Sequence, residues 1–238
     1  MSAVIQAVEI GKYFGSKKAL KGLSFAAQAG ETVALMGMNG AGKTTLINIL
    51  ATLLSADEGE VKYFGQPFKG NETEIRRRLG LVSHQLLLYA DLTVEENLRF
   101  YTRLYTLPNA EQRIGEVVDL VGLARQRNQV LHTLSRGMQQ RLAIGRALLH
   151  DPAILLLDEP FTGLDQFMVG RMLDLLQNIA GQEKTIIMAS HNFKEVAALA
   201  THVLFLHRGA CVDAFTVAGI DERSLADRYQ KMASRGES

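Results

Sequence analysis

The stretch GMNGAGKTT, from Gly37 to Thr45, constrains the fold of this chain more than any other part of its sequence. It lies between the apolar run TVALM and the helix-favouring run TLINIL, so the backbone is predicted to pass from a strand through a glycine-rich turn into a helix. The pattern G-x-x-x-x-G-K-[ST] in that context is typical of a loop whose backbone N–H groups surround phosphate oxygens. The alternative, a chance glycine-rich turn, requires neither the strand nor the helix. We therefore interpret the stretch as a nucleoside-triphosphate site.

Each part of this loop has an expected role. The glycines let the backbone turn so that successive N–H groups point at the phosphates, and the following helix adds a positive dipole end. Lys43 is expected to reach the β- and γ-phosphates, and the Thr44 hydroxyl to bind Mg²⁺. The residues expected to contact the nucleotide here are Gly37, Met38, Asn39, Gly40, Ala41, Gly42, Lys43, Thr44 and Thr45.

A second motif, AILLLDEP, is typical of a buried strand that ends in two carboxylates. Asp158 is expected to hold Mg²⁺ beside the phosphate loop, and Glu159 suits a general base that orients the attacking water. An acid at a strand end is, taken alone, more often a helix cap or a solvated loop residue. A phosphate loop needs a partner carboxylate, so the metal-binding interpretation is favoured.

Three further polar residues follow predicted strands or turns. Gln85 comes after LGLVSH, where its amide is expected to ligate the metal or hold the water and to move with the next segment. His191 ends TIIMASH, at the strand edge where open α/β sheets bind ligands, and could hydrogen-bond a γ-phosphate; a structural role is its alternative. Asp165, at the end of TGLD, is expected to take part in binding the nucleotide; capping the next helix is its alternative role, and both can hold together. The other five histidines show no metal-ligand spacing, so no zinc site is predicted.

The alternation of short apolar runs with helix-period segments predicts an α/β domain with a mostly parallel sheet. The predicted strands are 3–8, 22–27, 32–35, 61–64, 79–83, 153–157, 185–189 and 202–207. A terminal surface helix is predicted in DERSLADRYQKMAS.

The middle of the chain, from Leu92 to about His150, shows no convincing strand and predicts a helical subdomain. Its first helix begins with a capping box, Thr93 with Glu96, and AEQRIGEVVDLVG predicts a second helix. A third follows in LSRGMQQR, where a serine before a glycine fits either a capped helix or a ligand-binding loop. Leu98, Tyr101, Leu104 and Tyr105 share one face of the first helix.

Composition excludes some partners and compartments. The chain has 238 residues, 47% of them hydrophobic, with a formal net charge of +1 and no basic block, so a nucleic-acid partner is not predicted. Its apolar runs fall short of the roughly 20 residues that span a bilayer, and the start of the sequence predicts no signal peptide. Any membrane-spanning part is therefore expected on another chain. The single cysteine, Cys211, predicts a buried thiol in a reducing compartment.

In order, GMNGAGKTT, Gln85, LSRGMQQR, AILLLDEP, TGLD and His191 resemble the Walker A, Q-loop, signature, Walker B, D-loop and H-loop motifs of ATP-binding cassette (ABC) domains. The resemblance runs from Val8 to about Gly209. It implies a P-loop NTPase core with a mostly parallel sheet and an N-terminal antiparallel β part, interrupted by a helical subdomain. The implied division of this single domain, 1–238, is a core of 1–85 and 151–210, a helical signature subdomain of 86–150 and a tail of 211–238 with a helix.

The resemblance also implies roles for individual residues. Phe14 matches the aromatic that stacks on adenine, with Tyr13 a second candidate; either ring could instead pack under the sheet. Ser135, Gly137 and the backbone N–H of Met138 are expected to contact the γ-phosphate of ATP bound by a second cassette chain, in a head-to-tail dimer that also uses Mg²⁺. The commonest family signature is Leu-Ser-Gly-Gly-Gln, so Arg136 and Met138 depart from it, and Arg136 is without an assigned role.

A lone cassette of this kind is similar to the ATPase subunit of a bacterial transporter with permease subunits on separate chains, at the cytoplasmic face of the inner membrane. Its longer motifs look like those of exporters, closest to the ATPase of the haem-exporter-like cytochrome c maturation system, with drug and polysaccharide exporters close behind. The alternatives are a soluble ATPase that serves an assembly machine, as in iron–sulfur cluster assembly, and a bare nucleotide switch. The face from Leu86 to Leu104 is expected to dock the permease.

Overall fold

The computed structural model of the chain describes residues 3–83, 85–217 and 219–235. The strands are β1 (Ile5–Phe14), β2 (Lys17–Ala27), β3 (Thr32–Met36), β4 (Glu58–Tyr63), β5 (Gln66–Pro67), β6 (Leu79–Val82), β7 (Ile154–Asp158), β8 (Thr185–Ala189), β9 (His202–His207) and β10 (Ala210–Thr216). The helices are α1 (Lys43–Leu50), α2 (Glu72–Arg77), α3 (Val94–Leu104), α4 (Ala110–Leu120), α5 (Arg136–Leu148), α6 (Gln166–Ala180), α7 (Phe193–Leu199) and α8 (Glu222–Arg235). Short 3₁₀ turns cover Ala124–Gln126 and Leu131–Thr133.

Two sheets form the β part of the molecule. A four-stranded antiparallel sheet has the order β2-β1-β4-β5, and a six-stranded sheet has the order β10-β9-β3-β8-β7-β6. Neighbouring strands of the larger sheet run parallel except β10, which pairs antiparallel with β9. The predicted fold class, a mostly parallel core sheet with an N-terminal antiparallel part and a helical insertion, is confirmed.

The parallel strands bury both of their faces, as expected for a sheet covered on two sides. One face of the larger sheet packs with the four-stranded sheet and α1, in a core that includes Leu20, Leu46 and Leu156. The other face packs on the helical segment and α6, in a core that includes Leu142 and Leu176. Helix α1 is therefore held between the two sheets, and the loop before it has a fixed position.

Strand register brings several loops to one edge of the larger sheet. In that sheet β3, β8, β7 and β6 are consecutive neighbours, with Leu35 beside Ala189 and Ala189 beside Asp158. Because parallel strands end at the same edge, the loops that follow these four strands leave the sheet side by side. The loops that carry Gly37, Glu159, His191 and Gln85 are those four.

The helical segment between β6 and β7 contains no strand in the described residues from 85 to 150. Its predicted capping box is confirmed, because the Thr93 side chain accepts from Glu96 N and the Glu96 carboxylate accepts from Thr93 N. The predicted shared face of α3 is buried only at its start: Leu98 is inaccessible, whereas Leu104 is 64% exposed. Apolar surface therefore remains open at the end of this helix.

The C-terminal part differs from the sequence prediction. Only a helix was expected after residue 210, but β10 extends the larger sheet there before α8 begins. The signal was weak because β10 lies at the sheet edge and alternates between exposed and half-buried positions. Cys211, in β10, is half-buried rather than fully buried, and burial raises the pKa of its thiol. None of the described helices is long and apolar enough to cross a bilayer.

Candidate functional site

The loop after β3 is shaped by two close backbone approaches. A Cβ atom at Gly37 would overlap the carbonyl oxygen of Leu206, and one at Gly42 would lie 2.7 Å from Leu20 Cδ2. Gly42 also has a left-handed φ of 107° and precedes α1 without a side-chain cap. Only glycine fits these positions, and the free N–H groups at the start of α1 are available to an anion.

Lys43 lies inside the loop rather than in solvent. Its Nζ donates to the carbonyl oxygens of Gly37 at 2.7 Å and Met38 at 3.4 Å, and its side chain is only 7% exposed. The same Nζ lies 3.9 Å from Glu159 Oε1. The ammonium group is therefore held at the phosphate loop before any phosphate binds, which concentrates positive charge there.

Thr44 and Asp158 meet across the same cleft. The Thr44 hydroxyl donates to Asp158 Oδ1 at 3.1 Å, and Asp158 is 3% exposed at the end of β7. A hydroxyl oxygen beside a buried carboxylate is a hard oxygen donor set of the kind that Mg²⁺ uses next to a triphosphate. The residues present therefore fit a magnesium ion.

Glu159 and His191 form the next pair along the sheet edge. His191 Nδ1 lies 2.8 Å from Glu159 Oε2, and the imidazole is 67% exposed while the carboxylate side chain is 24% exposed. Glu159 has a left-handed φ of 52°, a conformation that costs a non-glycine residue about 1–3 kcal/mol. The backbone of Glu159 is fixed in it by its N–H, which donates to Ala189 O at 3.0 Å. In this backbone conformation the carboxylate lies beside the phosphate loop, with Oε1 3.9 Å from Lys43 Nζ.

The aromatic candidates separate clearly. Phe14 is 52% exposed and lines the cleft beside the phosphate loop, together with Lys17. Tyr13 instead donates its hydroxyl to Glu58 at 2.7 Å and has Lys18 Nζ over its ring at 4.7 Å. Phe14 is thus the ring available to a base. Lys17 was not predicted, although the basic pair in GSKKAL next to KYF was the available signal.

Gln85 is brought to the correct edge but not into contact with the other site residues. Its side chain is exposed, and its backbone carbonyl accepts from the Ser83 hydroxyl at 2.7 Å. Among the described residues, no hydrogen bond joins the Gln85 amide to Thr44 or Asp158. The metal-ligand role given to Gln85 stays a prediction.

The segment LSRGMQQR lies at the start of α5. Among the described residues, none from this segment lines the phosphate-loop cleft. Ser135 is the N-cap of α5, and its Oγ accepts from Met138 N at 3.3 Å. The Met138 N–H that was expected to meet a nucleotide therefore serves the cap in this structure. Gly137 is buried, and a Cβ there would lie 3.1 Å from the side chain of Met168 in α6.

Two features of the TGLD segment connect it with α5. Asp165 caps α6 as predicted, because its carboxylate accepts from Met168 N at 2.8 Å. A Cβ at Gly163, whose φ is 77°, would lie 2.8 Å from Arg136 Nε. The Arg136 side chain therefore lies against the backbone of TGLD in its own chain, a contact between segments that the sequence could not reveal.

These features define a class of protein. The site has the parts of the nucleoside-triphosphate site of a P-loop ATPase. These are a glycine-rich loop between β3 and α1 with a buried lysine, the Thr44–Asp158 pair, and the Glu159 carboxylate next to Lys43 and His191. The helical insertion and the helix capped by Ser135 are the features expected of ABC domains within that class.

The chain belongs to the ABC transporter family, because the sequence model of that family matches residues 20–162. The bacitracin transport ATP-binding protein BcrA of Bacillus licheniformis is 36% identical over 214 residues, 90% of this chain and 70% of the relative. The linearmycin resistance ATP-binding protein LnrL of Bacillus subtilis (strain 168) is 32% identical over 98% of this chain and 76% of the relative. A Nod factor export ATP-binding protein I of Burkholderia lata is 32% identical over 96% of this chain and 81% of the relative.

Solved structures give the same result. A dimeric ATP-binding cassette in a post-hydrolysis state bound to ADP and Pi superposes with a TM-score of 0.81 at 28% identity, covering 91% of this chain and 100% of that chain. A cassette of Clostridium perfringens superposes at 0.85 over 96% of this chain and 93% of that one, and its 24% identity shows the shared fold. The protein is thus an ATP-binding, ATP-hydrolysing subunit of an ABC transporter. Its relatives include exporter subunits, which favours the transporter over the soluble assembly ATPase.

Proposed function

We propose that two copies of this chain bind MgATP between them, hydrolyse it, and drive export of a cargo through permease subunits on separate chains. The observation that carries the proposal is the Glu159 carboxylate, held in a left-handed backbone conformation between Lys43 Nζ and His191 Nδ1. A general base must lie near the γ-phosphate site and face the attacking water, and this placement satisfies both conditions.

On the phosphate-loop side, Lys43 and the N–H groups at the start of α1 hold the β- and γ-phosphates, and Phe14 stacks on the adenine. Asn39, Gly40 and Thr45 line the same cleft. Thr44 and Asp158 would hold Mg²⁺, and Gln85 would be a further ligand for it. The metal, when bound, neutralises charge that develops on the phosphate oxygens.

Hydrolysis then depends on Glu159 and His191. The Glu159 carboxylate accepts a proton from water as the water oxygen attacks the γ-phosphorus, and the bond from phosphorus to the ADP oxygen breaks. His191 orients the carboxylate through the 2.8 Å contact and offers a hydrogen bond to the γ-phosphate. The protonated Glu159 then passes its proton to solvent or to the released phosphate, which restores the carboxylate and leaves ADP and inorganic phosphate without a covalent enzyme intermediate.

The signature side supports a second copy as the partner. Ser135, Gly137 and Met138 begin α5, away from the phosphate loop of their own chain, so they act on the ATP of a partner. The Ser135 oxygen accepts the cap bond, and since no acceptor for its O–H is found among the described residues, the hydroxyl can donate to a phosphate oxygen. Asp165 follows Gly163, whose backbone lies against the Arg136 side chain, by two residues, and we assign it to the same contact. The dimeric relative bound to ADP and Pi supports this arrangement.

An exposed apolar surface follows Gln85 and supports the docking of a permease. Leu87, Tyr89, Phe100 and Leu104 are 46%, 49%, 39% and 64% exposed. The Tyr89 and Phe100 rings pack edge to face at 4.8 Å, and the Tyr101 hydroxyl donates to Leu87 O. We refer to these residues as the docking face. In this proposal the permease subunits on separate chains provide the membrane pathway, and this subunit docks on them at the cytoplasmic face of the inner membrane.

The relatives support an exporter but do not agree on one cargo. Their names give bacitracin transport, linearmycin resistance and Nod factor export. The haem-exporter-like cytochrome c maturation system, expected from the motifs, stays a prediction for this chain. The cargo is set by the permease, because the cassette contributes ATP and movement rather than the transport pathway.

The experiment co-expresses the chain with the permease genes that neighbour its own and measures the fraction recovered with the purified permease. Leu104→Asp with Phe100→Asp should lower that fraction about tenfold, since a charge in a buried apolar contact removes its central anchors. Val212→Asp, at another exposed apolar side chain in β10, is the matched control and should have no effect. Unchanged recovery of the double variant would place the docking face elsewhere. Recovery with a soluble assembly complex instead would support the alternative function.

A further inference from the structure

A buried acid next to the proposed site has no role in the mechanism above. Glu195, in α7, is 6% exposed, and its Oε2 accepts from the Ser190 hydroxyl at 2.7 Å. Among the described residues, no lysine, arginine or histidine forms an ion pair with it. Burial raises the pKa of Glu195 above its ordinary value, and the neighbouring Glu159 carboxylate raises it further.

The Ser190 hydroxyl connects this acid with the turn that carries His191. Ser190 Oγ donates to Glu195 and accepts from Asn192 N at 3.1 Å. The Ser190 N–H donates to Leu35 O at 3.2 Å, which joins the turn to β3. These bonds hold the residues on both sides of His191, and Glu195 is the buried group to which they lead.

Stability alone does not explain this arrangement. A buried carboxylate without a cationic partner is costly, and an apolar side chain of similar size is often at least as stable. The start of α7 already has its own cap, because Asn192 Oδ1 accepts from Lys194 N at 3.0 Å. The helix therefore does not need Glu195 in order to begin at Phe193.

We propose that Glu195 is a positioning residue for ATP hydrolysis, which holds the β8–α7 turn through Ser190 so that His191 faces Glu159. This inference rests on the roles proposed above for Glu159 and His191. It adds a residue of α7 that acts through the turn and touches neither nucleotide nor water.

The test measures steady-state ATP hydrolysis by the purified full chain. Glu195→Ala should lower kcat about tenfold and leave KM for ATP within about twofold, because the nucleotide-holding residues lie in other loops. Glu195→Gln should retain most of the turnover, since its side-chain carbonyl still accepts from Ser190 Oγ. Ser190→Ala should resemble Glu195→Ala.

Epistasis with His191 separates positioning from general damage to the fold. If Glu195 acts through His191, then adding Glu195→Ala to His191→Ala should cause no further loss of turnover. A further tenfold loss in that background, or a Glu195→Gln variant as impaired as Glu195→Ala, overturns the proposal. Glu222→Ala, an exposed glutamate of α8, is the matched control for a lost carboxylate and should keep normal turnover.

The result also separates this inference from the proposed function. If Glu159→Gln and His191→Ala lower turnover strongly but measurably while Glu195→Ala leaves it unchanged, the positioning role is wrong and the proposed mechanism stands. If neither Glu159→Gln nor His191→Ala lowers turnover, the proposed mechanism itself is wrong.

Discussion

The two regions that should contact one ATP molecule, the phosphate-loop side and the signature side, are organised in opposite ways. On the phosphate-loop side Lys43 and Asp158 are 7% and 3% exposed, and each is hydrogen-bonded within its own chain. On the signature side Ser135 and Arg136 are exposed at the start of α5, and the described contacts of the Ser135 hydroxyl are limited to its helix cap.

This difference indicates that the phosphate-loop side governs ATP binding, whereas turnover also needs the signature side. Groups held in place before the ligand arrives lose little freedom on binding, so the phosphate-loop side can bind ATP in a single chain. The described lining of the phosphate-loop cleft contains no residue of LSRGMQQR, so the role proposed for the signature side requires a second copy. Variants on the two sides should therefore separate nucleotide binding from turnover.

The largest effect is expected from Glu159→Gln, which should separate ATP binding from ATP hydrolysis on the phosphate-loop side. Glu159→Gln removes the base but keeps the side-chain volume, and should lower turnover by roughly 10²–10⁴-fold while ATP binding persists. Dimers should accumulate with ATP in gel filtration because hydrolysis no longer reopens them. Lys43→Ala is the comparison, since it should weaken nucleotide binding itself in a fluorescence titration. Rapid turnover by Glu159→Gln would falsify the assignment of the base.

Sequence patterns predicted the phosphate-loop side well because its determinants are local. The loop, the strand before it and the helix after it are continuous in sequence, and β3 and β7 lie within one residue of their predicted ends. The order of strand ends along the sheet then places Asp158 and His191 beside the loop. Lys17 was missed because its one signal, the basic pair in GSKKAL, does not distinguish a lysine that lines a cleft from an ordinary surface lysine.

The signature side was less predictable because its contacts are tertiary. Gly137 was expected to serve a phosphate, yet it also allows α5 to pack on Met168. Arg136 lies over Gly163, a residue in a different segment of the chain. Glu195 was missed for a different reason: Ser190 is only five positions earlier, but the sequence does not show that the β8–α7 turn brings the two side chains together. No periodicity or spacing encodes contacts of this kind.

A smaller effect is expected from Ser135→Ala, which removes both the helix cap and the hydroxyl offered to the partner's ATP. The lost cap should destabilise the fold by about 1 kcal/mol. Turnover should fall about tenfold while ATP binding by the isolated chain is unchanged, as expected for a lost charge-assisted hydrogen bond.

Thr93→Ala is the matched control for the Ser135 variant, because it removes a comparable cap from α3, away from both sides of the site. It should cause a similar loss of stability in thermal unfolding with normal turnover. If the two variants lose turnover equally, the effect of Ser135→Ala comes from helix stability and the signature assignment fails.

The smallest effect is expected from Arg136→Gly, which restores the commonest family residue. Arg136 is exposed and rests on the TGLD backbone of its own chain, so its removal leaves Ser135 and Gly137 in place. An exposed contact of this kind contributes about 1 kcal/mol or less, which limits the change in turnover to a few-fold. The ATPase turnover of Arg136→Lys should lie between that of the unaltered chain and that of Arg136→Gly, since lysine keeps the charge but loses the planar group that lies over Gly163. Complete inactivation by Arg136→Gly would mean that this arginine contacts the partner's triphosphate, and that the signature side depends on charge as much as the phosphate-loop side does.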